Sequence, residues 1–513
     1  MAGRPKRDNR RLNRRRFLGI AGIASAASVT AAWFLGRPSG TSAPPGTVTA
    51  PTPHVPTPAA RRSRSIRHTL AEENALPGDP GWQTTSGYHL HAGGFADPGT
   101  VAPGKTLRLH LAATSGETAV RIFRLGWYGG DGGRLLASYD GIPCVGIDYD
   151  MDDRRTVSTD WPSTLEITLP EDWQSGMYIA RLDTSGGYEH LVPFCVRSVQ
   201  EKKPPILVLS GRLTSAAYNH WGGYSLYNFN SNDQERAYAV SFDRPIALNN
   251  GAGNLLGWEL PFIRWFERSG FDADYLCDLD LHTDPAALDG YQLIILNGHH
   301  EYFTNEMYDR LEAAVENGAN VAVFGSNAIY WRIRMEDTPV APGRKVVCYR
   351  EPELDPTGDP HNVTFRFRDG DHPRPEAGLL GIQYESTNPG NADWVVTNDA
   401  HWAFEGVDMR NGDSAPGLVG PEYDCIFEDA SPADVEVLAE SPLINSYEDE
   451  AVAHTTIRHH PSGAQVFAAG ALNWNFALDD YRSPAWQEND TLGPADPRLQ
   501  QFAHNIVSRL SGV

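Results

Sequence analysis

Side chains that can hold a metal ion or move a proton cluster after three apolar segments of this chain. His299 and Glu301 come just past Tyr291–Ile295, a run typical of a buried strand. A phenol-rich segment, Tyr218–Tyr227, follows a second such run, and Asn327 follows a third. Open parallel sheets place their ligands where the carboxyl ends of strands meet. We therefore expect a carboxylate, a histidine, an asparagine and several phenols to share one site.

The elements that position these side chains alternate between strand and helix after Pro204. Apolar runs and helical periodicity predict strands at 206–209, 271–276, 293–297 and 321–324 and helices at 258–269 and 305–317. Beyond Arg344 the sequence predicts strands at 403–408, 451–459 and 464–469 and a closing helix at 497–510. This succession is typical of a parallel sheet with right-handed crossovers. We therefore predict a Rossmann-like or amidotransferase-like parallel α/β domain, the catalytic-like domain, over residues 204–513.

Residues 72–199 show a different pattern, in which short alternating runs are separated by Gly, Pro and Asp turns. The strands that this pattern predicts are 106–112, 118–125, 165–169, 177–183 and 190–196. Such spacing favours an antiparallel β-sandwich. A Gly-rich turn carries Trp127 and Tyr128, which we expect to pack against the following domain, because aromatic side chains beside turns usually serve as packing anchors.

The N-terminus predicts the cellular compartment. Residues 13–18 carry the twin-arginine pattern and an apolar run continues to Leu35, which indicates a twin-arginine export signal over residues 1–36. An uncleaved membrane tether is the alternative, since about 20 apolar residues can span a bilayer. Residues 37–71, rich in Pro, Thr, Ser and Ala, are predicted to be a disordered linker. We expect a secreted, periplasmic or cell-envelope protein.

The distribution of charge excludes some partners. The chain has 43 Lys and Arg against 65 Asp and Glu, and 13 of the basic residues lie in the first 67 positions. The rest of the chain is therefore strongly acidic and should repel nucleic acid and anionic lipid. We expect no nucleic-acid partner and a membrane contact only through an uncleaved N-terminal anchor, while a homo-oligomer stays open.

Five cysteines in 513 residues exclude a disulfide scaffold. Cys144 and Cys195 fall in the predicted sandwich, and a disulfide between them after export stays open. Cys277, Cys348 and Cys425 show no Cys-x-x-Cys spacing. We expect these three to be buried as small apolar residues.

Several motifs are similar to those of one enzyme family. They are, in chain order, Glu73-Asn74, Arg124–Gly130, Ala217–Gly223, Gly298–Tyr302, Gly325–Asn327 and Gly417–Gly420 with Glu422 and Asp424. From about Glu73 onward the chain resembles the C-terminal catalytic region of the large (beta) subunit of N,N-dimethylformamidase and its short relatives. The resemblance implies a metal-dependent amidohydrolase that cleaves the C–N bond of a small linear amide.

The resemblance also implies which residues hold the metal. In that family a single iron is held by two tyrosines and one glutamate, which here implies Tyr218, Tyr227 and Glu301. Tyr224 is the alternative for the second tyrosine. Two phenolates and a carboxylate are hard anionic oxygen donors, and their three negative charges match a mononuclear Fe(III).

The resemblance assigns assisting roles to His299 and Asn327. An Fe(III) ion would polarise an amide carbonyl as a Lewis acid. His299 would carry a proton to the leaving amine, and Asn327 would donate a hydrogen bond to the developing oxyanion. Structural roles remain the alternative, since Glu301 also suits a helix N-terminus and the other two side chains suit local caps.

Two other functions remain open. A non-catalytic envelope protein that binds glycan or another ligand in the same cleft would depend on Trp402 and Trp474. A cysteine-dependent, amidotransferase-like hydrolase needs its nucleophile on the sharp turn after a strand, but the turn at 325–327 contains no cysteine. Iron bound to the purified protein would distinguish the amidohydrolase from the binding protein.

Overall fold

The structure, a computed structural model, describes residues 68–85, 87, 89–484 and 491–513. The predicted twin-arginine signal and most of the predicted linker lie outside the described residues. The predicted end of the linker, residue 71, falls inside the first helix, α1 (Leu70–Asn74), where Thr69 and Glu72 form a capping box. All the described residues belong to one compact unit.

Ten strands follow α1 and form two main sheets. They are β1 (Ala92–Asp97), β2 (Thr100–Val101), β3 (Thr106–Ala113), β4 (Glu117–Leu125), β5 (Gly133–Pro143), β6 (Asp150–Met151), β7 (Val157–Ser158), β8 (Leu165–Thr168), β9 (Gly176–Thr184) and β10 (Glu189–Val196). One sheet has the order β1-β3-β8 and the other the order β2-β10-β9-β4-β5. The pairs are antiparallel except β2–β10, and β6 and β7 form a separate ladder.

These two sheets share an apolar core because alternate side chains of each strand point to the same face. Leu107, Leu109 and Leu111 of β3 belong to one buried cluster with Val120 and Ile122 of β4. The five strands predicted from alternation all occur, each within one residue of its predicted ends. The sandwich prediction is only loosely met, since β2 pairs in parallel and β6–β7 stand apart from both sheets.

Sixteen further strands and six helices complete the described chain. The strands are β11 (Ile206–Ser210), β12 (Ala239–Ser241), β13 (Ala273–Cys277), β14 (Leu293–Asn297), β15 (Tyr302–Phe303), β16 (Asn320–Phe324), β17 (Trp331–Arg332), β18 (Arg334–Glu336), β19 (Lys345–Val347), β20 (Gln383–Thr387), β21 (Ala392–Val395), β22 (Ser414–Val419), β23 (Glu422–Cys425), β24 (Val435–Ile444), β25 (Glu450–His459) and β26 (Gln465–Ala468). The helices are α2 (Arg212–Tyr218), α3 (Leu260–Arg268), α4 (Asp280–Thr283), α5 (Asn305–Glu316), α6 (Glu376–Leu380) and α7 (Pro497–Ser511). Within the described ranges, no helix is both long and apolar enough to cross a bilayer.

The largest sheet has seven strands in the order β13-β11-β14-β16-β26-β25-β24. The first five strands run parallel, and β25 and β24 are antiparallel to their neighbours. Both faces of the five parallel strands are buried, which explains their continuous apolar runs. On β11, Ile206 and Val208 face one core while Leu207 and Leu209 face the other.

The prediction of a Rossmann-like or amidotransferase-like parallel α/β domain over residues 204–513 is wrong. Strands dominate, the largest sheet is mixed, and nine of the sixteen strands form four smaller sheets. Among the described residues only α3, α5 and α7 reach nine residues. Periodicity located the parallel strands, but it cannot detect the very short strands that pair beyond them. The strand predicted at 403–408 is also absent, and a 3₁₀ turn, Trp402–Phe404, begins there.

A buried ion pair joins the N-terminal sheets to helix α3. Arg124 on β4 and Glu267 on α3 both have fully buried side chains and form two hydrogen bonds, of 2.8 and 2.9 Å. Tyr275 and Asn74 also donate to the Glu267 carboxylate. Such a pair lowers the stability of the fold little while both partners are present, but a lone buried charge is strongly unfavourable.

The aromatic turn after β4 also lies against α3. The Trp127 ring accepts cation–π contacts from Arg264 and Arg268, at 5.0 and 4.9 Å. Tyr128 is buried and donates to the Glu73 carboxylate at 2.8 Å. The turn therefore packs between the N-terminal sheets and α3 rather than facing a ligand.

The open possibility of a Cys144–Cys195 disulfide is not met, because both thiols are free. Cys195 points into the core that it shares with α3, whereas Cys144 packs against the core between the two N-terminal sheets. Burial raises the pKa of Cys144 to about 12. Cys277 and Cys348 are buried as expected, and Cys425 is half-buried.

Replacing Glu267 with alanine should destabilise the protein by about 3–5 kcal/mol, because Arg124 would keep its charge without a partner. Urea unfolding followed by tryptophan fluorescence measures this. Arg121→Ala on the same strand is the matched control, since its partner Asp140 is exposed and surface pairs contribute about 0–1 kcal/mol. Equal effects of both variants would contradict the assigned role.

Residues 204–513 expressed alone should aggregate. One apolar core contains Phe123 and Ile179 of the N-terminal sheets together with Val208 of β11 and Phe266 of α3, so removing the first sheets would expose that core to water. Light scattering of the isolated fragment, beside the full chain, tests this. A soluble, monomeric fragment would show that the two parts are independent.

Candidate functional site

The site lies where three neighbouring parallel strands end. β11, β14 and β16 pair in one register, so that Ser210, Asn297 and Phe324 reach the same edge of the seven-stranded sheet. The chain then continues into α2, into the segment 298–303 and into the segment 325–331. These three connections carry the side chains that the sequence singled out.

Glycine allows the three connections to approach each other closely. A Cβ atom on Gly211 would lie 2.3 Å from the His299 carbonyl oxygen, and one on Gly325 would lie 2.0 Å from the Gly298 carbonyl oxygen. Gly298 itself has φ +82°, in the left-handed region that glycine adopts without strain. Any larger residue at these points would push the connections, and the site, apart.

The structure brings Tyr218, Tyr227 and Glu301 together. The rings of the two tyrosines lie 4.2 Å apart between centroids. The Tyr227 hydroxyl donates to Glu301 Oε2 at 2.5 Å. Glu301 is buried and the two tyrosines are half-buried, so three oxygen-bearing side chains lie together largely out of bulk water.

Tyr224, the alternative second tyrosine, lies elsewhere. Its ring packs against a separate cluster that contains Trp221, and its carbonyl oxygen accepts a hydrogen bond from Arg244. Tyr227 is therefore the tyrosine that the fold places beside Glu301.

His299 and Asn327 meet at a second carboxylate, Glu422, on β23. His299 Nε2 lies 3.2 Å from Glu422 Oε2 and 3.8 Å from Glu301 Oε2. Asn327 Nδ2 donates to Glu422 Oε2 at 2.8 Å, and the Tyr218 hydroxyl donates to Glu422 Oε1 at 3.3 Å. The sequence marked Glu422 only as part of a family motif, because 95 residues separate it from Asn327.

Burial and charge together perturb the titration of this cluster. Burial raises the pKa of Glu301. Burial alone would raise the pKa of Glu422, but His299 outweighs it and holds that pKa below its usual range. Burial alone would lower the pKa of His299, but the Glu422 carboxylate outweighs it and raises that pKa. Both shifts favour the charged forms, a carboxylate on Glu422 and an imidazolium on His299.

The two phenols stay protonated in these surroundings. Burial, reinforced by the charge of Glu301, raises the pKa of Tyr218 and of Tyr227 well above the usual value. Within the described chain, His, Cys, Asp and Glu side chains form no group of three placed to hold a metal ion. A metal site at this edge therefore needs the phenol oxygens, and these would bind only after losing their protons.

Three further residues of the site were missed by the sequence analysis. Trp331 Nε1 donates to Glu301 Oε1 at 2.9 Å, Tyr302 donates to the Tyr227 hydroxyl at 2.8 Å, and Arg350 donates to the Tyr302 hydroxyl at 2.8 Å. Trp331 begins the two-residue strand β17 and Arg350 lies three residues after the three-residue strand β19, and strands this short show no periodicity. Tyr302 follows Glu301 directly and could have been found there.

His300 and the two tryptophans considered for glycan binding have structural roles. His300 turns away from the site and its Nε2 contacts the Asn297 carbonyl oxygen at 3.2 Å. Trp474 is fully buried in the apolar core, so it offers no surface to a glycan. Trp402 packs on the same core, with Arg509 over its ring.

The similarity of this chain to solved structures is weak. The crystal structure of Dpr2 Ig1-Ig2 in complex with DIP-Theta Ig1-Ig3 is 20% identical, covers 23% of this chain and 52% of that chain, and has a TM-score of 0.11. A Paenibacillus cycloisomaltooligosaccharide glucanotransferase complexed with cycloisomaltoheptaose is 12% identical, covers 47% of this chain and 45% of that chain, and has a TM-score of 0.17.

Sequence comparison shows the family. The N,N-dimethylformamidase beta subunit of Paracoccus aminophilus is 25% identical over 315 residues, which are 51% of this chain and 41% of that protein. The chain thus matches less than half the length of this relative. The family model described as N,N-dimethylformamidase beta subunit-like, C-terminal, matches residues 119–489, which include every site residue named above. The chain belongs to the N,N-dimethylformamidase beta subunit-like family.

Proposed function

We propose that this protein is an exported, iron-dependent amidohydrolase that cleaves the C–N bond of a small amide. The observation that carries the proposal is the meeting of Tyr218, Tyr227 and Glu301 beside the His299–Glu422 pair. The name of the Paracoccus relative, an N,N-dimethylformamidase subunit, supports a linear amide as the substrate. The export signal expected over residues 1–36 supports a location outside the cytoplasm, and a homo-oligomer fits a relative that is itself a subunit.

The donor set fits a ferric ion. Tyr218 and Tyr227, once deprotonated, and Glu301 would supply three hard anionic oxygens, which suit a small, highly charged cation better than a soft one. Asn327 Oδ1 is buried and has no hydrogen-bond partner among the described residues, so the site has a polar acceptor left for a ligand or water. The ion would supply Lewis acidity toward an amide carbonyl.

His299 and Glu422 form the proton-handling pair of the proposed reaction. His299 Nε2 lies 3.2 Å from Glu422 Oε2, so a proton on this nitrogen would face the carboxylate, and it is shielded from bulk solvent because the His299 side chain is 1% exposed. The imidazolium can deliver this proton to the leaving amine nitrogen, and Glu422 stabilises the charged ring before it does so. Trp258, edge-on to the His299 ring at 6.1 Å, limits how far that ring can turn.

Asn327 orients Glu422 in this structure. Its backbone has φ +50°, a left-handed conformation that asparagine tolerates better than most residues, and its N–H donates to the buried Asp424. The side-chain amide then points Nδ2 at Glu422. The role expected from the sequence, a donor to the oxyanion, requires this amide to turn from Glu422 toward the substrate.

An exposed aromatic ring lies beside the two tyrosines. Phe229 is 59% exposed, and its ring lies 5.4 and 6.4 Å from those of Tyr227 and Tyr218. A small uncharged amide suits contact with this ring, because it loses less hydration there than a charged substrate would.

This prediction concerns the metal. The purified protein should contain about one iron per chain and show a visible phenolate-to-iron charge-transfer band. Tyr218→Phe and Tyr227→Phe should each weaken this band, because each removes a phenolate donor. Tyr224→Phe is the matched control from the same loop and should leave the band unchanged. A colourless protein that binds zinc instead of iron would contradict the iron assignment.

Two variants should distinguish metal binding from proton transfer. Glu301→Gln should lose iron and amide hydrolysis together. His299→Ala should keep its iron and lose about 10²–10⁴-fold in rate, as expected for a missing acid–base group. Iron analysis and dimethylamine release from N,N-dimethylformamide measure the two effects.

His282→Ala is the control for the histidine, since His282 also faces a glutamate, Glu306 at 3.4 Å, but lies outside the site. It should keep both iron and rate. Loss of iron in His299→Ala would make His299 a metal ligand instead of a proton carrier.

A further inference from the structure

A buried guanidinium lies behind the Glu301 side of the site. Arg350 sits between two aromatic rings, with its Cζ atom 4.2 Å from the centroid of the Tyr227 ring and 4.6 Å from that of the Trp331 ring. Both aromatic residues donate a hydrogen bond to Glu301, one to each carboxylate oxygen. Arg350 therefore contacts both side chains that hold this carboxylate.

Arg350 also begins a chain of hydrogen bonds that ends on Glu301. Its Nη2 donates to the Tyr302 hydroxyl at 2.8 Å, and the Tyr302 hydroxyl donates to the Tyr227 hydroxyl at 2.8 Å. The Tyr227 hydroxyl in turn donates to Glu301 Oε2 at 2.5 Å. All the donors in this chain point the same way, toward the carboxylate.

Arginine determines the direction of this chain. A guanidinium has only donors and no acceptor, so the Tyr302 oxygen must accept from Arg350. The single Tyr302 proton is then free to point at the Tyr227 oxygen. Without Arg350 the Tyr302 hydroxyl could rotate, and its oxygen, instead of its proton, could face Tyr227.

We propose that Arg350, acting through the Tyr302 hydroxyl, is a positioning residue that keeps a hydrogen bond on the oxygen of Tyr227. This inference rests on the proposed function, in which Tyr227 is an iron ligand. The hydrogen bond draws electron density from the phenolate oxygen, and the two ring contacts hold Tyr227 and Trp331 around Glu301. Among the described contacts, Arg350 donates a hydrogen bond to Tyr302 rather than to Tyr227 or Glu301, so its hydrogen bonding reaches these proposed ligands through Tyr302.

The backbone at Arg350 supports a specific role. Its φ is +64°, in the left-handed region, which non-glycine residues other than Asn and Asp seldom adopt and which costs on the order of 1 kcal/mol or more. The contacts of the guanidinium with Tyr302, Tyr227 and Trp331 offset that cost. A residue with no role in this cluster would gain nothing from the strained conformation.

The test compares iron-loaded Tyr302→Phe, Arg350→Met and Arg350→Lys with the wild-type protein. Tyr302→Phe removes one hydroxyl and should fold even if Arg350→Met does not. The position of the visible charge-transfer band and the iron affinity in competition with a chelator are both measured. Tyr308→Phe and Arg374→Met are matched controls, because Arg374 lies 3.8 Å over the buried Tyr308 ring outside the site.

Tyr302→Phe and Arg350→Met should both shift the band to longer wavelength, since a phenolate that loses a hydrogen bond gives up an electron more easily. Both should lower iron affinity by about 10–100-fold, as is typical when a residue that supports a metal ligand is removed. Arg350→Lys, still a donor, should keep most of the wild-type band position. The double variant that combines Tyr302→Phe with Arg350→Met should shift the band no further than Tyr302→Phe alone, because both changes act on one hydrogen bond.

A wild-type band position in Tyr302→Phe would overturn the inference while leaving the iron site intact. Shifts that add up in the double variant would also overturn it, since Arg350 would then act independently of Tyr302. A wild-type protein without iron or colour would instead overturn the proposed function, and this inference with it.

Discussion

The site depends on the burial of two carboxylates, Glu301 and Glu422, at one edge of the seven-stranded sheet. Buried charges are tolerated only when they are paired and hydrogen-bonded. Here all four carboxylate oxygens accept a hydrogen bond from a different side chain. The donors come from two segments, 218–227 and 325–331, and the carboxylates from two others, 298–303 and β23, so satisfying the carboxylates fixes how these four segments meet. The site is organised by the need to stabilise its own negative charge.

The rest of the fold holds these segments in place. The parallel register of β11, β14 and β16 brings their carboxyl ends together, and glycines let the connections touch. The N-terminal sheets contribute no site residue, but they cover one face of the large sheet and share its core. Their ion pair with α3, between Arg124 and Glu267, adds a charged contact that tolerates little displacement. The precision of the site therefore depends on packing far from it.

Sequence analysis found the parts of this site that sit directly on strand ends. His299, Glu301 and Asn327 follow buried apolar runs, and the runs were recognisable because both faces of the sheet are covered. Arg350 lies just after the short strand β19 and reaches the site through tertiary packing, so no local pattern could have indicated it. The predicted fold class was wrong for a similar reason, since two-residue strands such as β15 and β17 show no periodicity in the sequence.

Charge balance links the buried carboxylates to the proposed metal. Each carboxylate has a basic group nearby, since Arg350 acts on Glu301 and His299 Nε2 lies 3.2 Å from Glu422 Oε2. A trivalent cation would bring an excess of positive charge into this buried space. Tyr218 and Tyr227 are the neutral acids in direct contact with the carboxylates, and the loss of their protons offsets most of that excess. The same phenols thus satisfy the carboxylates as donors and, in the proposed iron site, would become anionic ligands once a cation replaced their protons.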